Sequence, residues 1–159
     1  MTSSARMAPA LDVEQWFNTD DAPQLEQLRG RVVVLEAFQM LCPGCVSHGI
    51  PQAQRIYDSF SRQDVVMLGL HTVFEHHAAM TPVALAAFLH EYKVTFPVGV
   101  DRANGRGLPY TMSAYAMEGT PTMILVDTAG RLRKQWFGAP PDLVAGAEIM
   151  RLVEEGRAA

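Results

Sequence analysis

The sequence has only two cysteines, a small net charge and no long apolar run among its 159 residues. Two cysteines are too few for the several disulfides that stabilise small secreted domains, and they suit a reducing compartment. The net charge of −4 provides no positive field, so we expect neither nucleic acid nor a membrane surface as a partner. No stretch approaches the roughly 18–20 apolar residues that span a bilayer.

The first nine residues carry one basic residue and lack the apolar segment of a secretory signal. We therefore expect a cytoplasmic protein, although an exported form whose leader has been removed would have the same features. Residues 1–10 are predicted to form a flexible tail. Residues 11–159 are predicted to form a single domain, because this length suits one hydrophobic core and no repeat or linker interrupts it.

The order of the apolar segments predicts an α/β fold. Strands are predicted at residues 32–38, 65–70 and 96–100, and residues 123–126 and 131–137 are predicted to pair as a hairpin. Helices are predicted at residues 45–60, from Thr81 onward, at 110–115 and at 141–155, with a kink at Pro51 in the first. Residues 11–17 are predicted to form a short strand or a turn of helix. Alternating strands and helices favour parallel strands, so we expect a mixed sheet with helices on both faces.

The two cysteines stand together as Cys42-Pro43-Gly44-Cys45, which we call the cysteine motif. The motif follows the predicted strand at residues 32–38 and begins the first predicted helix. A Cys-x-x-Cys at a strand-to-helix turn is typical of a thioredoxin-like redox site. The alternative is a pair of buried, reduced thiols without a role.

Four features in sequence order resemble the thioredoxin superfamily, and within it the TlpA/ResA-like thiol-disulfide oxidoreductases, a redoxin or AhpC/TSA-like domain. They are the strand at residues 32–38, the cysteine motif, Gly119-Thr120-Pro121 and the strand and turn at residues 124–131. The resemblance covers residues 11–155 and implies a thioredoxin fold, with a helical insertion between the second strand and the Gly-Thr-Pro segment. These proteins usually carry a tryptophan before the first cysteine, where this chain has Leu41.

Within the motif, Cys42 is the candidate nucleophile and Cys45 the candidate resolving thiol. The thiolate is the reactive species, and the free N–H groups of a helix N-terminus, here those of Gly44 and Cys45, would stabilise it at Cys42. Pro43 fits the first helical turn, where its missing N–H has no effect. Cys45 would then attack a mixed disulfide at Cys42 and release the reduced partner.

Glu36 is an unusual residue for the middle of a predicted buried strand, because a buried carboxylate is unfavourable unless it is paired or neutral. It lies six residues before Cys42, at the position where thioredoxins carry a buried aspartate beneath the active site. The resemblance therefore implies a proton acceptor for Cys45, with a pKa raised by desolvation. A glutamate at a strand end facing solvent is the alternative.

The resemblance also implies that Pro121 follows a cis peptide bond and lies opposite the cysteine motif. The backbone of Thr120 would pair there with an extended segment of the substrate. Pro43 and Gly44 complete the predicted substrate-binding set. An ordinary trans proline at a strand start is the alternative for Pro121.

Other residues near the motif have less specific interpretations. His48, one turn after Cys45, could tune the site or lie on the surface, and His71, His76 and His77 are grouped around a loop. Met40, Leu41 and Pro43 could form an apolar rim for protein substrates or could pack in the ordinary way. A further set of large apolar residues is expected in the core: Phe88, Leu89, Tyr92, Trp136 and Phe137.

The function predicted from these residues is thiol-disulfide exchange with protein substrates through the Cys42–Cys45 pair. No cofactor is expected beyond this redox-active disulfide. The expected partners are protein disulfides and an unidentified electron donor or acceptor. The protein is expected to be a monomer or a weak dimer. One alternative is a peroxiredoxin-like peroxidase, although Gln39 occupies the place of the threonine in a Thr-x-x-Cys arrangement. The other is a copper- or zinc-binding module made of Cys42, Cys45 and a histidine.

Overall fold

The computed structural model describes residues 5–159, whose strands form a six-stranded sheet in the order β1-β4-β3-β2-β5-β6. The strands are β1 (Val13–Phe17), β2 (Val32–Phe38), β3 (Val65–His71), β4 (Val98–Asp101), β5 (Thr122–Val126) and β6 (Leu132–Phe137). The α-helices are α1 (Ile50–Ser59), α2 (Pro82–Glu91), α3 (Tyr110–Ala114) and α4 (Asp142–Ala158). A π-helical turn, Cys45–Gly49, leads into α1, and a 3-10 helix, Leu25–Leu28, precedes β2.

The sheet is mixed, as the alternation of elements predicted. Strands β2, β3 and β4 run parallel to one another. Strand β5 is antiparallel to β2, β6 is antiparallel to β5, and β1 is antiparallel to β4. The helices α2 and α3 lie in sequence between β3 and β5, where the resemblance placed a helical insertion. The predicted thioredoxin-like α/β fold is therefore confirmed.

Strand β2 lies inside the sheet, and all seven of its residues are buried. Side chains alternate between the two faces of a strand. Residues on the face of Val32 and Phe38 therefore pack in the core cluster that includes residues of α1, α2 and α4. Residues on the opposite face, which carries Val33, pack in the cluster that includes residues of α3. The same alternation puts Glu36 on the face covered by α1, the helix that follows the cysteine motif.

The path into α1 differs from the prediction of a kinked helix. Pro51 lies in the first turn of α1, and the five residues from Cys45 to Gly49 form a π-helical turn. Because Pro51 has no N–H, it cannot bond the Ser47 carbonyl four residues earlier. The N–H of Ile50 donates instead to the carbonyl of Cys45, five residues back, the bond that defines a π-helix.

Part of the predicted flexible tail is bonded to the rest of the domain. The Ala8 N–H donates to Gly130, the Leu132 N–H donates to Arg6, and the Tyr115 hydroxyl donates to Pro9 at 2.7 Å. Arg6, Ala8 and Pro9 are therefore each hydrogen-bonded to the domain. Residues 1–4 lie outside the described part of the chain.

Helix α2 begins as predicted, because the Thr81 hydroxyl accepts the N–H of Ala84 and Pro82 occupies the first turn. The large apolar residues expected in the core at the end of this helix differ in their burial. Leu89 is buried and Phe88 is half-buried, but Tyr92 follows the last helical residue and is 55% exposed. Within residues 5–159, no helix is both long and apolar enough to cross a membrane.

Candidate active site

The two cysteines lie at the start of the helical segment as free thiols, Cys42 half-buried and Cys45 fully buried. The Cys45 N–H donates to the Cys42 sulfur at 3.2 Å, and the Cys42 thiol donates to the Thr120 carbonyl at 3.5 Å. Of the two N–H groups that the sequence indicated, that of Cys45 makes this bond. An N–H aimed at the sulfur at a helix N-terminus favours the thiolate of Cys42.

Cys45 is in a different environment from Cys42. Burial, followed by a hydrogen bond with the Cys42 side chain, raises the pKa of Cys45 to about 12, and hydrogen bonds with the Gln39 backbone and the Thr120 side chain only partly oppose this. Cys45 is therefore a neutral thiol at ordinary pH. The pair combines one accessible sulfur with one sheltered sulfur that must lose a proton before it can react.

Glu36 is 1% exposed and lies within β2, opposite Gly69 of β3 and Met123 of β5. Burial raises the pKa of Glu36 well above its ordinary value, and the nearby charge of Cys42 raises it further. One carboxyl oxygen, Oε2, is buried without a hydrogen-bond partner. The alternative of a solvent-facing glutamate at a strand end is therefore wrong.

Gly49 connects Glu36 with the proline loop, and the sequence analysis missed it. A Cβ atom at this position would lie 2.6 Å from Glu36 Oε1 and 2.9 Å from Pro121 Cβ. Only glycine permits this approach without a shift of its neighbours. A glycine inside a helical segment lowers helix stability, so its presence there was the available signal.

The peptide between Thr120 and Pro121 is cis, as predicted, and this loop lies against the cysteine motif. A Cβ atom at Gly44 would be in ordinary contact with Pro121 Cδ at 3.5 Å. The loop is held by two short hydrogen bonds, from the Thr122 hydroxyl to the Gly119 carbonyl and from the Gly138 N–H to the Pro121 carbonyl. Pro43 is exposed, Gly44 and Thr120 are half-buried and Pro121 is buried, so the predicted substrate-binding residues differ in their exposure.

The segment before Cys42 is fixed by residues that were not predicted to contribute. The Met40 N–H donates to Nε2 of His71 at 3.3 Å, and the Phe74 N–H donates to the side-chain oxygen of Gln39 at 3.1 Å. Gln39 and His71 are each 1% exposed. Burial lowers the pKa of His71 to about 4, so its ring is neutral at ordinary pH.

The four histidines considered for the site separate into two groups. His71 is the last residue of β3 and is buried beside the Phe38 ring, so its grouping with the loop histidines is wrong. His76 and His77 are exposed. His48 is also exposed, with its Nδ1 at 2.7 Å from the Ser47 hydroxyl. His48 therefore lies on the surface.

The apolar surface around the motif is only partly as predicted. Leu41 is 56% exposed and Pro43 is exposed, whereas Met40 is buried in the core. Phe137, expected in the core, is 59% exposed, and its ring lies over Gly119, where a Cβ atom would come within 2.9 Å. Leu41 thus extends from the segment that carries Cys42. Phe137 extends from the end of β6, next to the proline loop.

No group of three or more His, Cys, Asp or Glu side chains within residues 5–159 is arranged to hold a metal ion. His48 is engaged with Ser47, so the geometry does not favour the copper- or zinc-binding alternative. Gln39, in the place of a peroxidase threonine, is buried and hydrogen-bonded to the loop after β3. It offers no hydroxyl to a peroxide at Cys42.

Comparison with known proteins agrees with this fold. A crystal structure of a thioredoxin-like superfamily protein shares 56% sequence identity, with a TM-score of 0.92 and coverage of 94% of this chain and 97% of that one. A thiol-disulfide isomerase from Corynebacterium glutamicum shares 49% identity, with a TM-score of 0.87 and coverage of 92% and 96%.

A more distant curated relative is the thiol-disulfide oxidoreductase ResA of Bacillus thuringiensis (strain Al Hakam). It is 24% identical over 115 residues, which are 72% of this chain. The chain spans 60% of the length of the curated relatives that it matches. The AhpC/TSA family model matches residues 5–135, most of the chain. Together with the thioredoxin-like fold, this match shows that the chain belongs to the AhpC/TSA family of the thioredoxin superfamily.

Proposed function

We propose that the protein is a thiol-disulfide oxidoreductase that exchanges disulfides with protein substrates through Cys42 and Cys45. The observation that carries this proposal is the inequality of the two sulfurs. Cys42 is accessible and accepts the Cys45 N–H at 3.2 Å, while Cys45 is buried directly behind it. The names of the relatives, an isomerase and an oxidoreductase, support the same class of reaction.

The reaction proceeds in two exchanges. The Cys42 thiolate attacks one sulfur of a substrate disulfide, forming a mixed disulfide and releasing a substrate thiolate, which takes up a proton. Cys45 then loses its proton and attacks the Cys42 sulfur, so that the Cys42–Cys45 disulfide forms and the second substrate thiol leaves. Two electrons pass from the protein dithiol to the substrate, and the reverse sequence oxidises a substrate dithiol.

Glu36 is the group proposed to take the proton from Cys45. Burial raises the pKa of both groups, so the ionised Glu36 is a stronger base than an exposed carboxylate and is better matched to a thiol of high pKa. Its unpartnered Oε2 can accept a proton without first losing another hydrogen bond. While Cys42 is a thiolate, its charge favours the protonated form of Glu36.

The substrate is proposed to lie across the surface formed by the motif and the proline loop. An extended segment would pair with the backbone of Thr120, next to Pro121, and would place its disulfide at Cys42. The exposed Leu41 and Phe137 provide apolar contacts on the two sides, and Pro43 and Gly44 complete the surface.

The test of the proposal is a Cys45→Ser variant incubated with a disulfide-containing protein. Because the second exchange is blocked, the mixed disulfide at Cys42 should accumulate and appear on a non-reducing gel as an adduct that dithiothreitol removes. Cys42→Ser is the matched control, since it removes the accessible sulfur and should give no adduct. If Cys45→Ser forms no adduct with any disulfide substrate, or if Cys42→Ser forms the same adduct, the assignment of roles is wrong.

A further inference from the structure

The peptide unit that joins Gln39 to Met40 is hydrogen-bonded at both ends. Its N–H, on Met40, donates to Nε2 of His71 at 3.3 Å, and its carbonyl, on Gln39, accepts the N–H of Cys42 at 3.2 Å. A peptide unit is planar, so its N–H and C=O groups turn together. The bond to His71 therefore fixes the carbonyl that holds the backbone of the nucleophile.

The residues around this peptide are shielded from water. His71 and Gln39 are 1% exposed, and Met40 is 8% exposed. The neighbouring chain is held as well, because the Thr72 N–H donates to the Phe38 carbonyl at 3.1 Å. A buried N–H that loses its acceptor is unfavourable by roughly 1–3 kcal/mol, so the peptide would turn to find another.

His71 suits the acceptor role because its ring is neutral. Burial lowers its pKa to about 4, so the ring is neutral at the pH at which thiols react, and in the tautomer protonated at Nδ1 its Nε2 has a free lone pair. A protonated ring would present an N–H toward the Met40 N–H. The bond thus needs both the position of His71 at the end of β3 and its burial beside Phe38.

We propose that His71 is a positioning residue that sets the balance between the dithiol and disulfide forms of Cys42 and Cys45. The inference rests on the proposed function and adds which residue sets the redox equilibrium of the cysteine pair. The bond to Met40 orients the peptide that anchors Cys42, and this keeps the Cys42 sulfur within 3.2 Å of the Cys45 N–H. That contact stabilises the thiolate, and a stabilised reduced form makes a pair a weaker reductant.

The experiment is an equilibrium titration of the full chain with reduced and oxidised glutathione, in which one dithiol and one glutathione disulfide give one protein disulfide and two glutathione thiols. His71→Leu keeps an apolar side chain in the core but removes the acceptor. It should shift the equilibrium toward the protein disulfide by roughly three- to tenfold, the factor expected for one hydrogen bond. His71→Gln restores an acceptor near the place of Nε2 and should stay within roughly twofold of wild type.

The matched control is His77→Leu, which removes an exposed imidazole from the neighbouring loop and should leave the equilibrium unchanged. A folded His71→Leu variant with the wild-type equilibrium constant, or a His71→Gln variant shifted as far as His71→Leu, would overturn the inference. A wild-type pair that does not exchange with glutathione would instead refute the proposed function.

If His71→Leu does not fold, nitrogen NMR of wild-type His71 decides the question. By linkage, a bond that shifts the redox equilibrium must itself respond to the redox state. An unprotonated Nε2 whose chemical shift changes between the dithiol and disulfide forms supports the inference. A protonated Nε2, or the same shift in both forms, contradicts it.

Discussion

Individual side chains at this site are distinguished mainly by how far they are removed from water. Cys42 keeps contact with solvent, whereas Cys45 and Glu36 are buried, and desolvation is the largest cause of the raised pKa of each. Glu36 also lies close enough to Cys42 for the charge of the sulfur to act on it. When one of these groups loses a proton, the proton affinity of the neighbouring groups therefore changes.

Replacing Glu36 with glutamine tests the proton-transfer role with little change in size. Glu36→Gln should slow the resolving step by roughly 10²-fold, because the glutamine amide cannot take the Cys45 proton. The measurement is the decay of a pre-formed mixed disulfide at Cys42, followed between pH 6 and 9. Rates equal to those of wild type across this range would remove Glu36 from the mechanism.

The same variant provides a check that does not depend on activity. The folded-state pKa of Glu36 is raised, so its stabilising contribution is complete below its unfolded value and is lost as the pH rises toward the folded value. The Glu36→Gln variant has no carboxyl group to ionise at this position, so it does not lose this stability as the pH rises. Its urea midpoint should therefore exceed that of wild type at pH 8, and the difference should shrink as the pH approaches 4.

At the level of elements, the site depends on how closely the π-helical turn approaches the proline loop. The turn brings Gly49 against Pro121 and Glu36, and the loop brings the Thr120 carbonyl to 3.5 Å from the Cys42 sulfur. Pro51 contributes to this turn because it has no N–H to donate to the Ser47 carbonyl, four residues before it. The proline and the glycine thus lie two residues apart in this segment.

Gly49→Ala should therefore disturb the site. Its Cβ would come within 2.9 Å of a rigid proline ring, so the turn must move, with an expected loss of roughly 1–3 kcal/mol in unfolding free energy. Slower disulfide exchange should accompany it. Gly146→Ala in α4 is the control, because no atom lies within 4 Å of its Cβ, and it should stabilise the protein by roughly 0.5–1 kcal/mol. Equal effects of the two substitutions would show that the approach at Gly49 is unimportant.

The elements also show why some features could be predicted from the sequence and others could not. The nearly continuous apolar run of β2 and the spacing of the cysteines are local patterns, so the sheet, the motif and the burial of Glu36 were predictable. His71 was assigned to a loop because apolar character ends at Leu70. The strand continues through His71 since it pairs with Phe38 and Val100 on its two sides.

Long-range contacts account for the remaining differences. The importance of Gly49 depends on Pro121, more than 70 positions away, and no local pattern reports such a contact. Phe137 was expected in the core because it is a large apolar residue in a strand. It is exposed because β6 is an edge strand and Phe137 is its last residue, beside the proline loop.

For the whole molecule, buried ionisable groups lie on both faces of the sheet. Cys45 belongs to the cluster that includes α1, α2 and α4, with Glu36 on the same face of β2, and Tyr115 belongs to the cluster around α3. The titration of these groups affects the stability of the entire fold. Burial shifts the pKa values of Glu36 and His71 in opposite directions. It raises the pKa of Glu36 and lowers the pKa of His71.

His71 predicts how stability falls in acid. Its folded pKa is about 4, against an ordinary value near 6.5, so the unfolded chain binds the proton first. The stabilisation from a neutral His71 is therefore complete above about pH 6.5 and is lost as the pH falls toward 4, by about 3 kcal/mol in total. Urea unfolding of wild type and His71→Gln at pH 7 and pH 4.5 measures it. Wild type should lose more stability between these two pH values than the variant, which has no imidazole to protonate, and equal losses would show that His71 titrates normally in the folded protein.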